Sequence, residues 1–205
     1  MLDGREGSNR SGAANCQLTA KNDIEAVSAW LAEYADTPHT LRSYRKEVER
    51  LLLWATRSRN NALSSLTRDD LLAYEAFLGD PGDEWLSPEL PRHGNNRRLF
   101  ERALAPASVR HAMGIVSGLF GYLVAAGYLA GNPLALRRRR KAGRKSPKVE
   151  RYLDHATWQF VLYFVESWQR ESVRERQHYE RVRWVMRLLH GTGLRAFEAA
   201  NARAA

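Results

Sequence analysis

Apolar residues recur at helical spacing through most of this chain, and no segment shows a strand-like alternation. Asp23 is placed to cap a first helix carrying Ile24, Val27, Trp30, Leu31 and Tyr34 on one side. Thr37-Pro38 opens a longer second helix, in which Leu41, Tyr44, Val48, Leu51, Leu52 and Ala55 share a face. Arg42, Lys46 and Arg50 fall on another face of it. Thr67 caps a third helix with Leu71, Leu72, Tyr74, Ala76, Phe77 and Leu78. A fourth runs from about Ala107 to Ala126, with Val109, Met113, Val116, Phe120, Leu123 and Val124 on its core side. Further helices are predicted from the Asp154–Trp158 region to about Trp168 and from about Arg174 to His190, the latter with Tyr179, Val182, Val185, Met186 and Leu189 as its apolar side. The fold class read from this pattern is all-α.

Between these helices the pattern breaks in three places. Residues 1–20, rich in Gly, Ser, Asn and Ala without apolar period, read as a disordered arm. From Gly79 to about Pro106, Pro81, Gly82, Pro88, Pro91 and Gly94 punctuate a long loop, and Trp85, Leu86 and Phe100 suggest that part of it packs back. After Gly131-Asn-Pro133 comes RRRRKAGRKSPKVER, residues 137–151. The domain boundaries that follow are an arm over 1–20, a helical domain over 21–135, a basic linker over 136–151 and a second helical unit over 152–205.

Composition sharpens the choice of partner. The 205 residues include 32 Lys plus Arg against 23 Asp plus Glu, a formal net charge of +9. Such a chain suits polyanions. Residues 137–151 hold nine basic residues and one acid, Glu150, so nearly all of the excess lies there. That run reads either as a solvated linker or as a hinge lying along a phosphate backbone. Cys16 is the only cysteine, which excludes a disulfide framework and a cysteine metal site within this sequence. His39, His93, His111, His155, His178 and His190 are scattered without metal-ligand spacing, and neither a metal nor a cofactor is expected. The absence of a long apolar run or a leader pattern points to a cytoplasmic protein without a membrane partner.

Two local features carry candidate chemistry. The outward side of the fourth helix holds Arg110, His111, Gly114, Ser117, Gly118 and Gly121. Its three glycines cost roughly 1 kcal/mol each relative to alanine, so close approach is expected there, either of a neighbouring helix or of a nucleic-acid backbone. Near the end of the chain, His190-Gly-Thr-Gly-Leu-Arg195-Ala-Phe-Glu198 reads as a helix end, a turn and a new helix start. Gly191 and Gly193 can take the positive φ values of a C-cap. Arg195 is then either an ordinary surface arginine or a guanidinium presented to phosphate beside free helical N–H groups.

The segment PHTLRSYRKEVERLLLWA, opening Pro38-His39-Thr40-Leu41-Arg42-Ser43-Tyr44, the helix ending YLVAAGYLAGNPL, the basic linker and HGTGLRAFE, in that order, resemble the tyrosine recombinases, or phage integrases. The resemblance spans about residues 20–205. It implies a four-helix SAM-like core-binding bundle on double-stranded DNA, followed by the start of a catalytic domain, and it leaves open assembly of several copies on the DNA. It also implies DNA contacts from Thr40, Arg42, Lys46, Arg50, Arg110, His111 and Ser117 and from the linker residues Arg137, Arg138, Arg139, Arg140, Lys141, Arg144, Lys145 and Lys148. Arg195 would bind the scissile phosphate, and Glu198 would either orient it or serve as a helix N-terminal carboxylate. The family's hairpin lysine, His-x-x-Arg box and nucleophilic tyrosine are not present after Arg195, and all eight tyrosines precede it. The expectation is therefore a DNA-binding part with a truncated catalytic domain, inactive alone. Two rivals are a non-catalytic regulator occupying recombination sites and a helical protein-interaction module.

Overall fold

The amphipathic stripes become seven α-helices in the computed structural model, which describes residues 2–12, 15–86, 100–136 and 153–201. They are α1 (Asp23–Ala32), α2 (Pro38–Ser58), α3 (Arg68–Gly79), α4 (Pro106–Ala125), α5 (His155–Glu166), α6 (Val173–Thr192) and α7 (Ala196–Asn201). Among the described residues the only β-type pairings are two isolated bridges, Arg10 with Leu129 and Leu86 with Phe100. The chain divides into two units, residues 1–139 and residues 140–205.

In the first unit α4 packs against α1, α2 and α3, and α1 packs against α2. Its interior is formed by Trp30, Val48, Leu51, Trp54, Leu71, Tyr74, Leu78, Met113, Val116, Leu119, Phe120 and Leu123. Local signals set the helix ends. Thr67 caps α3 in a reciprocal box with Asp70, as its sequence position suggests. Pro38 and Pro106 open α2 and α4, where their missing N–H groups leave no bond unmade. The stripe assigned to α1 is partly wrong, because Ile24 is exposed. In α3, Leu72 and Ala76 also face outward. Part of the long loop does pack back: Phe77 meets Trp85 and Phe100 edge-to-face at 5.1 and 5.4 Å. The expected loop residues 87–99 lie outside the described ones.

The N-terminal segment departs most from expectation. Residues expected to form a disordered arm lie against the bundle as a strap. Asn9 N–H donates to Ser64 O, Ser11 N–H to Tyr128 O and Gln17 N–H to Ala126 O, while Ala130 N–H donates to Asn9 O. The Asn9 side chain bonds Gly131 in both directions at 2.8 and 3.1 Å, and the Arg10 guanidinium lies 3.7 Å from the centre of the Tyr128 ring. These bonds are polar, which explains why a search for apolar periodicity misses the segment.

Asp23 is the anchor beneath the strap. The helix cap expected of it is provided instead by Asn22, whose side chain accepts from Glu25 N–H. Asp23 is 2% exposed. Its carboxylate accepts from Ser64 N–H at 2.9 Å, Ser64 Oγ at 3.0 Å and Tyr128 Oη at 2.9 Å. Three donors supply the partners that a buried carboxylate requires. With Asp23 as acceptor, burial and the carboxylate push the Tyr128 hydroxyl well above its ordinary range. Gly4 crosses this carboxylate with φ +78°, and a Cβ there would lie 2.0 Å from an Asp23 oxygen.

The second unit holds less interior. Among its described residues Trp158, Val165 and Tyr179 are buried, where α5 packs on α6. Asp154 and Ser172 cap these two helices. The opposite side of α5 leaves Phe160, Tyr163 and Phe164 between 56% and 74% exposed, so α5 is apolar on nearly every side. On α6, Val185, expected on the apolar side, is also exposed. Among the described residues, no helix is long and apolar enough to cross a membrane.

Candidate nucleic-acid interface

Alpha-helical geometry separates the candidate residues of α2 into two environments. Arg42 and Lys46 are exposed, and Thr40 is partly so. Arg50, expected beside them on the DNA side, is instead 2% exposed. It pairs with Glu47 one turn earlier at 2.5 Å, and its guanidinium lies 4.5 Å from the centre of the Phe100 ring. The reason is long-range. Phe100 returns from the far end of the loop and covers the side of α2 that would otherwise face water. A side chain so enclosed is a structural cation and is not placed to meet phosphate.

The outward face of α4 matches the sequence reading in composition and corrects it in packing. Arg110, His111, Gly114 and Gly118 are exposed, and Ser117 is partly so. Of the two approaches left open by the glycines, a neighbouring helix is found among the described residues only at Gly118, which meets Trp30 of α1. A Cβ on Gly114 or Gly121 would have no atom within 4 Å, and one on Gly118 would meet only the Trp30 ring at 4.0 Å. The result, among the described residues, is a low, uncovered ridge with a guanidinium and an imidazole at its N-terminal end. Its backbone is accessible in a way that larger side chains would prevent.

The turn between α6 and α7 confirms a helix stop but moves its details. Gly193, at φ +66°, is the left-handed C-cap and donates to Leu189 O. Gly191 does not share that role, because it lies within α6. The Arg195 side chain is 88% exposed. Glu198 accepts from the Arg195 backbone N–H at 2.7 Å, while its other oxygen is 3.9 Å from the guanidinium. Of its two expected roles, the helix N-terminal one therefore makes the shorter contact. His190 stacks on Trp158 with ring centres 3.9 Å apart, which fixes the imidazole against α5.

Arg137, Arg138, Arg139, Arg140, Lys141, Arg144, Lys145 and Lys148 lie outside the described residues. Among the described residues, no group of three His, Cys, Asp or Glu side chains comes together to hold a metal ion.

Sequence reasoning passed over one charged cluster. Arg170, Arg183 and Arg187 converge on Glu166. Only Arg183 and Arg187, one helical turn apart, gave a local signal; Arg170 and Glu166 reach them through the α5–α6 packing.

Compared with known proteins, the chain matches no family model, no curated protein and no solved structure.

Proposed function

We propose that the chain binds double-stranded DNA in the manner of the tyrosine recombinases, with the first unit as a SAM-like core-binding bundle and the second as the opening part of a catalytic domain. The observation that carries this reading is the uncovered glycine ridge of α4 beside Arg110 and His111. Helical glycines are unfavourable where nothing approaches, and a phosphate backbone is a ligand that needs close approach together with positive charge. Arg42 and Lys46 on α2 and the basic run at 137–151 add the sequence-independent part of the attraction. Arg195, held out from the turn after Gly193, is the group in this chain suited to a scissile phosphate, where it would stabilise charge on the non-bridging oxygens.

Titration of a duplex at several salt concentrations tests the reading. With about six phosphates contacted, log K against log salt is expected to slope near −5. A flat response contradicts it. Replacing Arg137 to Lys141 with alanine is expected to weaken binding equally on unrelated sequences, because phosphate contacts position a protein without specifying sequence.

The polypeptide alone is expected neither to cleave nor to join DNA. Groups that act as a unit fail together when one is missing, and no tyrosine follows Arg195 in this sequence. Incubation with a nicked suicide substrate and denaturing electrophoresis should show no covalent adduct. A shifted band removed by substituting one of the eight tyrosines contradicts this part of the reading.

A further inference from the structure

We propose that Arg170, Arg183 and Arg187 form a receptor for a phosphate oxyanion on the second unit, with Glu166 as the internal group that competes for it. The site does not rest on the DNA reading.

Five side chains define it. Glu166, the last residue of α5, accepts from Arg183 Nε at 3.0 Å and has Arg187 at 3.5 Å on the same oxygen, while Arg170 lies 3.6 Å from the other. The Tyr179 hydroxyl, from the next helix, donates to that second oxygen. Arg170 is held in place twice, by its guanidinium 3.8 Å from the centre of the Tyr179 ring and by donation to the Glu166 carbonyl oxygen. Arg183 and Arg187 are set one turn apart on α6.

One carboxylate does not saturate three guanidiniums. Each fork carries five N–H donors, roughly fifteen in all, against about four acceptor positions on Glu166. Glu180 also neighbours Arg183. With both carboxylates counted, the cluster still carries a net positive charge. The three arginine side chains remain between 36% and 52% exposed, so unused donors are open to a ligand. Planar forks match phosphate oxygens in pairs. The stacking and the carboxylate restrict the arginines before a ligand arrives, which lowers the entropy lost on binding. The hydrogen bond from Tyr179, then that from Arg183, holds the Glu166 carboxyl below its ordinary range, so it remains an ionised competitor near neutral pH.

A phosphate group at this place can come from a free phosphate compound or from a nucleic-acid backbone. Calorimetric titration of the full chain with inorganic pyrophosphate, and separately with a short duplex, distinguishes them. For pyrophosphate, the paired substitution Arg183→Gln, Arg187→Gln is expected to weaken binding at least fivefold. Glu166→Gln is expected to strengthen it at least threefold, because the amide still accepts from Tyr179 but no longer neutralises the forks. The pair Arg183→Lys, Arg187→Lys keeps the charge and loses the forks, so at least twofold weakening is expected; it carries the test if the glutamine pair loses helix content by circular dichroism. No pyrophosphate binding by the unaltered chain, unchanged binding in the glutamine and lysine pairs, or weaker binding in Glu166→Gln overturns the proposal. Pyrophosphate binding without duplex binding supports the receptor and contradicts the DNA reading. A duplex affinity that falls in parallel with the pyrophosphate affinity places the oxyanion on a nucleic-acid backbone.

Discussion

Gly4→Val is expected to destabilise the first unit by about 3 kcal/mol, from the cost of a left-handed backbone for a branched residue and the loss of charge-assisted hydrogen bonds. Gly4 adopts φ +78° directly over Asp23, and a Cβ would lie 2.0 Å from its carboxylate. Valine must therefore lift the strap or displace the carboxylate from Ser64 and Tyr128. Either movement leaves buried donors or a buried charge without partners, which is far more costly than loss of a surface contact. Urea unfolding followed by tryptophan fluorescence checks it, with Gly12→Val as the control. Gly12 also has positive φ, at +58°, but nothing lies within 4 Å of its Cβ position. It should therefore show the backbone cost alone. Equal effects at the two glycines contradict the strap as an anchor.

Arg50→Ala is expected to cost about 3–5 kcal/mol, the range for removing one partner of a buried ion pair. Glu47, itself buried and close enough to Tyr74 to act on its hydroxyl, would keep its charge without its guanidinium. The double change Glu47→Leu, Arg50→Met should recover most of the loss, since apolar groups of similar volume remove both desolvation penalties. Its DNA affinity, measured on folded protein, should match that of the unaltered chain. That outcome separates Arg50 from Arg42 and Lys46, whose exposed substitutions should lower affinity and leave stability nearly unchanged. A double variant that folds stably yet loses DNA affinity would return Arg50 to the interface.

The helices were legible because burial of a helix face leaves a local period. Leu51, Met113, Val116, Phe120 and Leu123 report their own environment through spacing. Thr67 and Pro38 were legible for a similar reason, since caps and helix starts depend on neighbours in sequence. The largest errors involve partners far along the chain. Asp23 looks like a cap until Ser64 and Tyr128, 41 and 105 residues away, are placed around it. Arg50 looks exposed until Phe100 closes over it. The strap is held by backbone bonds that no side-chain pattern records. Glycines gave a partial signal: their composition announced a special face on α4, but only the packing distinguishes an uncovered ridge from a helix contact. Arg195 could be placed on a turn by the sequence, whereas the preference of Glu198 for the backbone N–H required distances.

The DNA reading meets its most direct test at Gly114 and Gly118. Because among the described residues nothing lies within 4 Å of a Cβ at Gly114 and only the Trp30 ring, at 4.0 Å, is near Gly118, Gly114→Leu with Gly118→Leu should not destabilise the bundle, and relief of helical glycine should raise its stability by about 1 kcal/mol or more. Bulk on the ridge should at the same time hold off a phosphate backbone. The measurement is duplex affinity of this folded double variant against the unaltered chain at one fixed low salt concentration. The account predicts at least a tenfold loss of affinity with stability kept or raised; unchanged affinity in a stably folded variant would contradict it.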